Sequence, residues 1–99
     1  MKHLFIILIS ALSISFYGKK TAEDYLIKGN VKRITKKDYK GAIEDYTKAI
    51  ELNPKYANAY MVRGMCKDEL KDYNGSIQDY NKAIELNPKY TDAYMARGL

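Results

Sequence analysis

The side chains that most often carry catalysis are few in this chain and poorly placed for it. The single histidine is His3, so no Ser-His-Asp or Cys-His arrangement can be assembled in the rest of the chain. The acidic pairs Glu44-Asp45 and Asp68-Glu69 occupy adjacent positions, which point in different directions on a helix. They do not form a paired-carboxylate site by themselves, and a metal site built from them would contain carboxylates only.

The single cysteine and the glycines are better explained by packing than by chemistry. Free cysteine is among the most buried residue types, so we expect Cys66 to fill the core. A redox or crosslinking role is the alternative, because the cysteine is unpaired. The glycines stand singly and never form a phosphate-cradling loop. We therefore predict that the protein is not an enzyme and needs no cofactor and no metal.

The strongest signal in the sequence is an internal repeat. Residues 38–65 recur 34 positions later as residues 72–99, and 20 of the 28 positions are identical. A unit of this length at a fixed spacing is typical of a solenoid, in which each helical piece buries its apolar face against its neighbours. The chain is therefore expected to build a surface by stacking its units.

Each unit has the pattern of two helices. Asp38 is a good N-cap residue type, and Pro54 pushes the residue before it out of the α region. Between them, apolar residues follow one side of a helix at Ala42, Ile43, Tyr46, Ala49 and Ile50. The same pattern returns from Asp72 to Pro88, and a further helix is predicted over residues 57–70. Residues 25–34 are the equivalent helix of the first unit.

Two local features of these helices require an explanation from packing. Gly64 inside a helix costs about 1 kcal/mol relative to alanine, so we expect a neighbouring helix to approach it closely. Tyr25 and Gly29 precede Tyr60 and Gly64 by 35 positions rather than 34. We expect the one extra residue around residues 35–37, in the turn.

The pattern resembles the tetratricopeptide repeat over residues 22–99, because each unit has an aromatic residue, a glycine, a small residue, a second aromatic residue, an alanine and a proline at that family's intervals. In the first unit these are Tyr25, Gly29, Ala42, Tyr46, Ala49 and Pro54. In the second unit they are Tyr60, Gly64, Ser76, Tyr80, Ala83 and Pro88. The resemblance implies an all-α fold, a right-handed superhelical array of antiparallel helix pairs that acts as a protein-protein interaction module. Unit 1 would span residues 22–56, unit 2 residues 57–90, and residues 91–99 would begin a third.

The resemblance also implies that the first helix of each pair lines a concave groove for a peptide or a partner helix. Carried over position by position, the groove residues are Leu26, Asn30, Arg33, Asn58, Met61, Met65, Asp68, Glu69, Asp92 and Met95. The three methionines are adaptable enough to grip a varied apolar segment, and ordinary packing is their alternative role. Some family members clamp a chain-end carboxylate with lysine and asparagine. Asn30 fits that clamp, but Leu26 and Asp92 replace its lysines, so no clamp is predicted.

At two places in the repeat, basic residues stand where the family usually has apolar ones. They are Lys28, Lys32, Arg63, Lys67 and Arg97. Long basic stems can cover apolar surface while their charged ends reach water. We therefore expect the fold to be kept and the face that these residues line to become more cationic.

Residues 1–15 resemble a secretory signal peptide, with a short basic start and an apolar run. Cleavage after Ser15 would leave residues 16–21 as a linker and export the protein to the periplasm or outside the cell. The alternative is an uncleaved signal anchor, in which residues 4–17 hold the protein at a membrane. A structural spacer tethered in this way is a third possible function.

The formal charge of +5 is concentrated in the first part of the chain. Residues 1–40 contain nine Lys or Arg against three Asp or Glu, whereas residues 41–99 contain eight against nine. Such a run is usually a solvated helix face. The alternative function is a binder of nucleic acid or an anionic surface through residues 19–40.

The sequence stops nine residues into the third unit, where Tyr94, Met95 and Leu99 are expected on an open face. Stacked arrays need a terminal cap with a polar outer face. We expect either further units or self-association through this end.

Overall fold

The computed structural model describes residues 18–89. Within that range the chain forms four helices and no strand: α1 (Ala22–Thr35), α2 (Tyr39–Leu52), α3 (Ala57–Glu69) and α4 (Tyr73–Leu86). Each helix packs against the next one in sequence. The predicted all-α architecture of adjacent helix pairs is confirmed. The predicted leader at residues 1–15 and the third unit at residues 91–99 lie outside the described residues.

The helix ends follow from the residues that the sequence places there. The side chains of Asp38 and Asp72 accept hydrogen bonds from the backbone N–H groups of Gly41 and Gly75, which satisfies one free donor at the start of α2 and of α4. The α1 helix begins with a capping box between Thr21 and Asp24. The helices α2 and α4 end at Leu52 and Leu86, two residues before each proline. The predicted N-caps and proline stops are confirmed.

The extra residue of the first unit lies inside α1 rather than in the turn. The α1 helix has 14 residues and α3 has 13, while the connections at residues 36–38 and 70–72 have the same length. The N–H of Asp38 donates to the carbonyl of Lys32, six residues back, whereas that of Asp72 donates to the carbonyl of Lys67, five residues back. The last turn of α1 therefore absorbs the insertion, close to the expected residues 35–37 but in the helix end rather than in the turn.

The core lies between the helices and is formed by small residues around large aromatic rings. Its buried hydrophobic members are Leu26, Ala42, Tyr46, Ala49, Ala59, Val62, Cys66, Tyr80 and Ala83. A Cβ atom on Gly64 would lie 2.8 Å from Cε1 of Tyr80, and one on Gly29 would lie 2.6 Å from Cε1 of Tyr46. The expected close approach at Gly64 is confirmed, because the missing side chain gives the tyrosine ring its place between the helices.

Candidate binding groove

A groove of about 410 Å³ lies where α1, α3 and α4 meet. Its lining residues are Asn30, Arg33, Asn58, Met61, Val62, Met65 and Tyr80. Five of them were predicted as groove residues, two on α1 and three on α3. The helical spacing of these positions puts their side chains on one face of each helix, and the α2 helix between α1 and α3 sets the distance across the groove.

The other predicted groove residues have different surroundings. Leu26 is only 6% exposed and belongs to the hydrophobic core. Asp68 is partly buried and accepts a hydrogen bond from the hydroxyl of Tyr80, and Glu69 is exposed at the end of α3. Asp92 and Met95 lie outside the described residues. The structure thus brings five of the ten predicted residues to one cavity.

Sequence reasoning missed two lining residues, Val62 and Tyr80. Both are also core residues, and Tyr80 comes from the second helix of its pair, whereas the prediction used first helices only. The recurrence of Tyr46 as Tyr80 indicated a structural role and gave no sign that the ring also reaches the groove.

The two methionines of the groove combine the roles that the sequence left open. Met61 is partly buried and packs against both core clusters while it lines the groove. Met65 is 37% exposed, so its side chain is available to a ligand. The groove therefore offers an apolar and adaptable wall along α3.

A polar network at the α1 side of the groove is centred on Tyr46. Its hydroxyl accepts a hydrogen bond from Nε of Arg33 at 3.0 Å and donates one to Oδ1 of Asn30 at 2.6 Å. The Nη2 atom of Arg33 also lies 3.4 Å from that amide oxygen. Burial raises the pKa of Tyr46, and the guanidinium opposes this change. The hydroxyl therefore stays protonated at neutral pH and holds both groove residues in place.

Buried aspartates on the second helices neutralise several of the basic residues. Lys32 Nζ lies 3.0 Å from Oδ2 of Asp45. In the second unit, Asp79 accepts two hydrogen bonds from Arg63, at 2.8 and 2.7 Å, and forms an ion pair with Lys67 at 3.0 Å. The hydrogen bonds to the Asp79 carboxylate raise the pKa of Arg63. In the same way, the contact with Asp45 raises the pKa of Lys32. The charges of Lys32, Arg63 and Lys67 are therefore compensated inside their units, which corrects the expected cationic face at these three positions. Lys28 is exposed, and Arg97 lies outside the described residues.

The cysteine of the described residues has a structural role. Cys66 is fully buried, and desolvation raises its thiol pKa to about 11, so it is protonated at neutral pH and packs as a small apolar residue. Residues 18–89 contain no cluster of His, Cys, Asp or Glu with the geometry of a metal site. Over the same residues, no helix has both the length and the apolar character to span a bilayer.

The stacked helix pairs and the groove across them define a helical-repeat protein of the solenoid class. A family model described as "Tetratricopeptide repeat" matches residues 57–90, and one described as "TPR repeat" matches residues 33–64. No curated protein matches the chain significantly.

Two crystal structures of MamA are similar to this chain. One has a TM-score of 0.76 and 32% sequence identity, over 79% of this chain and 45% of the MamA chain. The other has a TM-score of 0.75 and 32% identity, over 79% of this chain and 42% of that one. The chain thus spans less than half the length of either MamA chain. It belongs to the tetratricopeptide repeat family.

Proposed function

We propose that the chain binds a peptide or a helix of a partner protein in the groove between α1, α3 and α4. The observation that carries this proposal is the lining of that groove. Residues from the first helices of both units meet there, and their polar amides and guanidinium face an apolar wall of Met61 and Met65. Apolar walls with a few oriented polar groups are typical of ligand sites in proteins.

Site-specific photocrosslinking tests this proposal. A benzophenone amino acid at Met65 is expected to capture a partner from the native host, because this side chain is exposed in the groove. The matched control is the same amino acid at Tyr73, which is exposed and does not line the groove. Equal capture of one partner from both positions, or capture from Tyr73 alone, would show that the partner does not bind in the groove.

The proposal includes export of the chain. It rests on the basic start and apolar run of residues 1–15. Mass spectrometry of the protein purified from its host is expected to show a mature N-terminus at residue 16. An intact N-terminus in a membrane fraction would instead favour the anchored form.

We also propose end-to-end self-association, because α1 exposes a face that α3 buries. Ile27 and Val31 precede Val62 and Cys66 by 35 positions. They are 53% and 48% exposed, whereas Val62 and Cys66 are 5% and 0% exposed against α2. The occupant that fits is the repeat surface of a second copy, since a helical repeat buries such a face against another repeat of the same kind.

Sedimentation of the chain over a range of concentrations tests the association. Val31→Glu should shift the protein towards the monomer, while Leu52→Glu, at an exposed leucine near the end of α2, should leave the association unchanged. A wild-type chain that stays monomeric at high concentration would rule the association out.

The alternative of a nucleic acid or anionic-surface binder is weakened by the structure. Lys32 is paired with Asp45, and Arg33 is held in the groove by Tyr46. Both residues were part of the basic segment 19–40 on which that alternative depended. Retention on DNA, RNA or acidic vesicles tests this alternative. Retention that depends on salt and is lost when Lys36 and Lys37 become glutamine would support the alternative function.

A further inference from the structure

The partly buried basic side chains of α1 and α3 fall into two groups. Lys32, Arg63 and Lys67 each lie within 3.0 Å of an oxygen atom of a buried aspartate. Arg33 is also partly buried, but no carboxylate of residues 18–89 lies within 4.0 Å of its guanidinium. Its positive charge is therefore the one in this group that the described chain does not compensate.

Neutral groups fix the position of Arg33. Its Nε–H donates to Tyr46 and its Nη2 lies near the amide oxygen of Asn30. Since Tyr46 is fully buried and Asn30 is bonded to the same hydroxyl, the side chain is held before any ligand arrives. A guanidinium has five N–H donors in a rigid plane, and these contacts use two of them. The remaining donors suit a carboxylate, which accepts two parallel hydrogen bonds.

The apolar lining of the groove strengthens the preference for an anion. The guanidinium shares the cavity with Met61, Val62 and Met65, whose apolar side chains cannot solvate a charge. A charge pair is stronger beside such walls than in bulk water, because the effective dielectric constant is lower. A neutral ligand at the same place would leave the cation without a counter-charge.

We propose that Arg33 binds the carboxylate of an internal aspartate or glutamate in the partner segment, next to an apolar side chain that contacts Met61 and Met65. The inference rests on the proposed groove function and adds the chemistry of the ligand. We commit to a side-chain carboxylate, because one guanidinium supplies the single counter-charge and the two parallel hydrogen bonds that it needs. Arg33 is the single basic residue among those that line the groove, and Leu26 is buried in the core.

Selection of random 12-residue peptides on the full chain tests this inference. One library presents the peptides between two flanking protein segments, without a free carboxylate, and a second presents free C-termini. Peptides from the first library are expected to share an acidic residue beside an apolar one. Changing that acidic residue to its amide should weaken binding roughly 10-fold or more to the wild type, and much less to Arg33→Gln.

Two variants separate the role of Arg33 in binding from its role in the fold. Tyr46→Phe removes the hydroxyl that holds the guanidinium but keeps the charge, so it should weaken the binding of acidic peptides less than Arg33→Gln does. Met65→Ala shortens the apolar wall without adding a charge, so it should weaken all groove peptides, whether acidic or not. Circular dichroism of each variant establishes that the helices are intact before its affinity is compared.

The outcomes distinguish failure of this inference from failure of the groove. Some peptides could need Met65 but show no acidic preference and bind Arg33→Gln as well as the wild type. Such peptides would overturn this inference, while the proposed groove function would still hold. Enrichment in the free-end library alone would also overturn it, in favour of a chain-end carboxylate. Peptides that are insensitive to Met65→Ala, or no selected peptides at all, would contradict both the inference and the proposed groove function.

Discussion

Tyr46 and Tyr80 occupy equivalent positions in the two units, yet their hydroxyl groups bind side chains of opposite charge. Tyr46 accepts a hydrogen bond from Arg33, whereas Tyr80 donates one to Asp68 at 2.8 Å. Arg33 and Asp68 are themselves equivalent, 35 positions apart in the first helices of their units. A tyrosine hydroxyl can both donate and accept, so the same core residue supports either charge at the groove.

This equivalence predicts that Arg33→Asp will be tolerated by the fold. The new carboxylate can accept from Tyr46 as Asp68 accepts from Tyr80, so the free energy of unfolding should fall by less than in Tyr46→Phe, which loses about 1 kcal/mol with its hydrogen bonds. Urea unfolding followed by circular dichroism measures both values. A larger loss in Arg33→Asp than in Tyr46→Phe would show that the two units do not tolerate the same exchange.

Gly64→Ala is expected to destabilise the chain, although alanine is the better helix former. The added methyl group would lie 2.8 Å from Cε1 of Tyr80 and 3.3 Å from Cβ of Asp79. Overpacking of this kind costs about 1 to 3 kcal/mol, which outweighs the propensity gain of about 1 kcal/mol. Thermal unfolding should show a lower midpoint for Gly64→Ala. The control is Gly18→Ala, where no atom lies within 4 Å and little change is expected. A higher midpoint for Gly64→Ala would contradict the close approach.

Asp79→Asn should cost more stability than Asp45→Asn. The carboxylate of Asp79 is buried and compensates both Arg63 and Lys67, while Asp45 faces Lys32 alone. Arg63 also bonds Oγ1 of Thr47 on α2, so the Asp79 cluster joins three helices. Loss of the charge should reduce the free energy of unfolding by about 2 to 4 kcal/mol.

Chemical denaturation of the two variants measures this difference. Glu85→Gln is the control, because its pair with Lys82 spans 3.6 Å at the surface and should change stability by less than about 0.5 kcal/mol. If Asp79→Asn matched this control, the buried cluster would contribute no net stability.

The buried thiol of Cys66 predicts a loss of stability at alkaline pH. Its pKa is raised by burial from 9.0 to about 11, so between these values the unfolded chain releases a proton that the folded chain keeps. The stabilisation is complete below pH 9 and is lost as the pH rises to about 11, with a slope of at most about 1.4 kcal/mol per pH unit. Urea unfolding at several pH values should show this in the difference between wild type and Cys66→Ala, since the tyrosines titrate in both. A difference that does not change with pH would contradict the desolvated thiol.

The amino-acid sequence by itself determined the helices, their caps and the units. Asp38, Asp72 and the two prolines act through local backbone geometry, and the apolar stripe depends only on the helical period. Gly64 could be assigned a close contact because a glycine inside a helix needs a compensating reason. These features are local or are repeated along the chain, so no knowledge of the tertiary structure was required.

Only the tertiary structure decided which charges meet. Lys32 and Asp45 are 13 positions apart, and Arg63 and Asp79 are 16 apart, so their pairing depends on how neighbouring helices pack. The same packing buries the side chain of Leu26 in the core and places Tyr80, from the second helix of its pair, at the groove. Helical periodicity gives the face on which a residue lies, but the position of that face against its neighbours depends on side chains that are distant in sequence. The uncompensated charge of Arg33 became visible for this physical reason only after the partners of Lys32, Arg63 and Lys67, the other partly buried bases of α1 and α3, had been located.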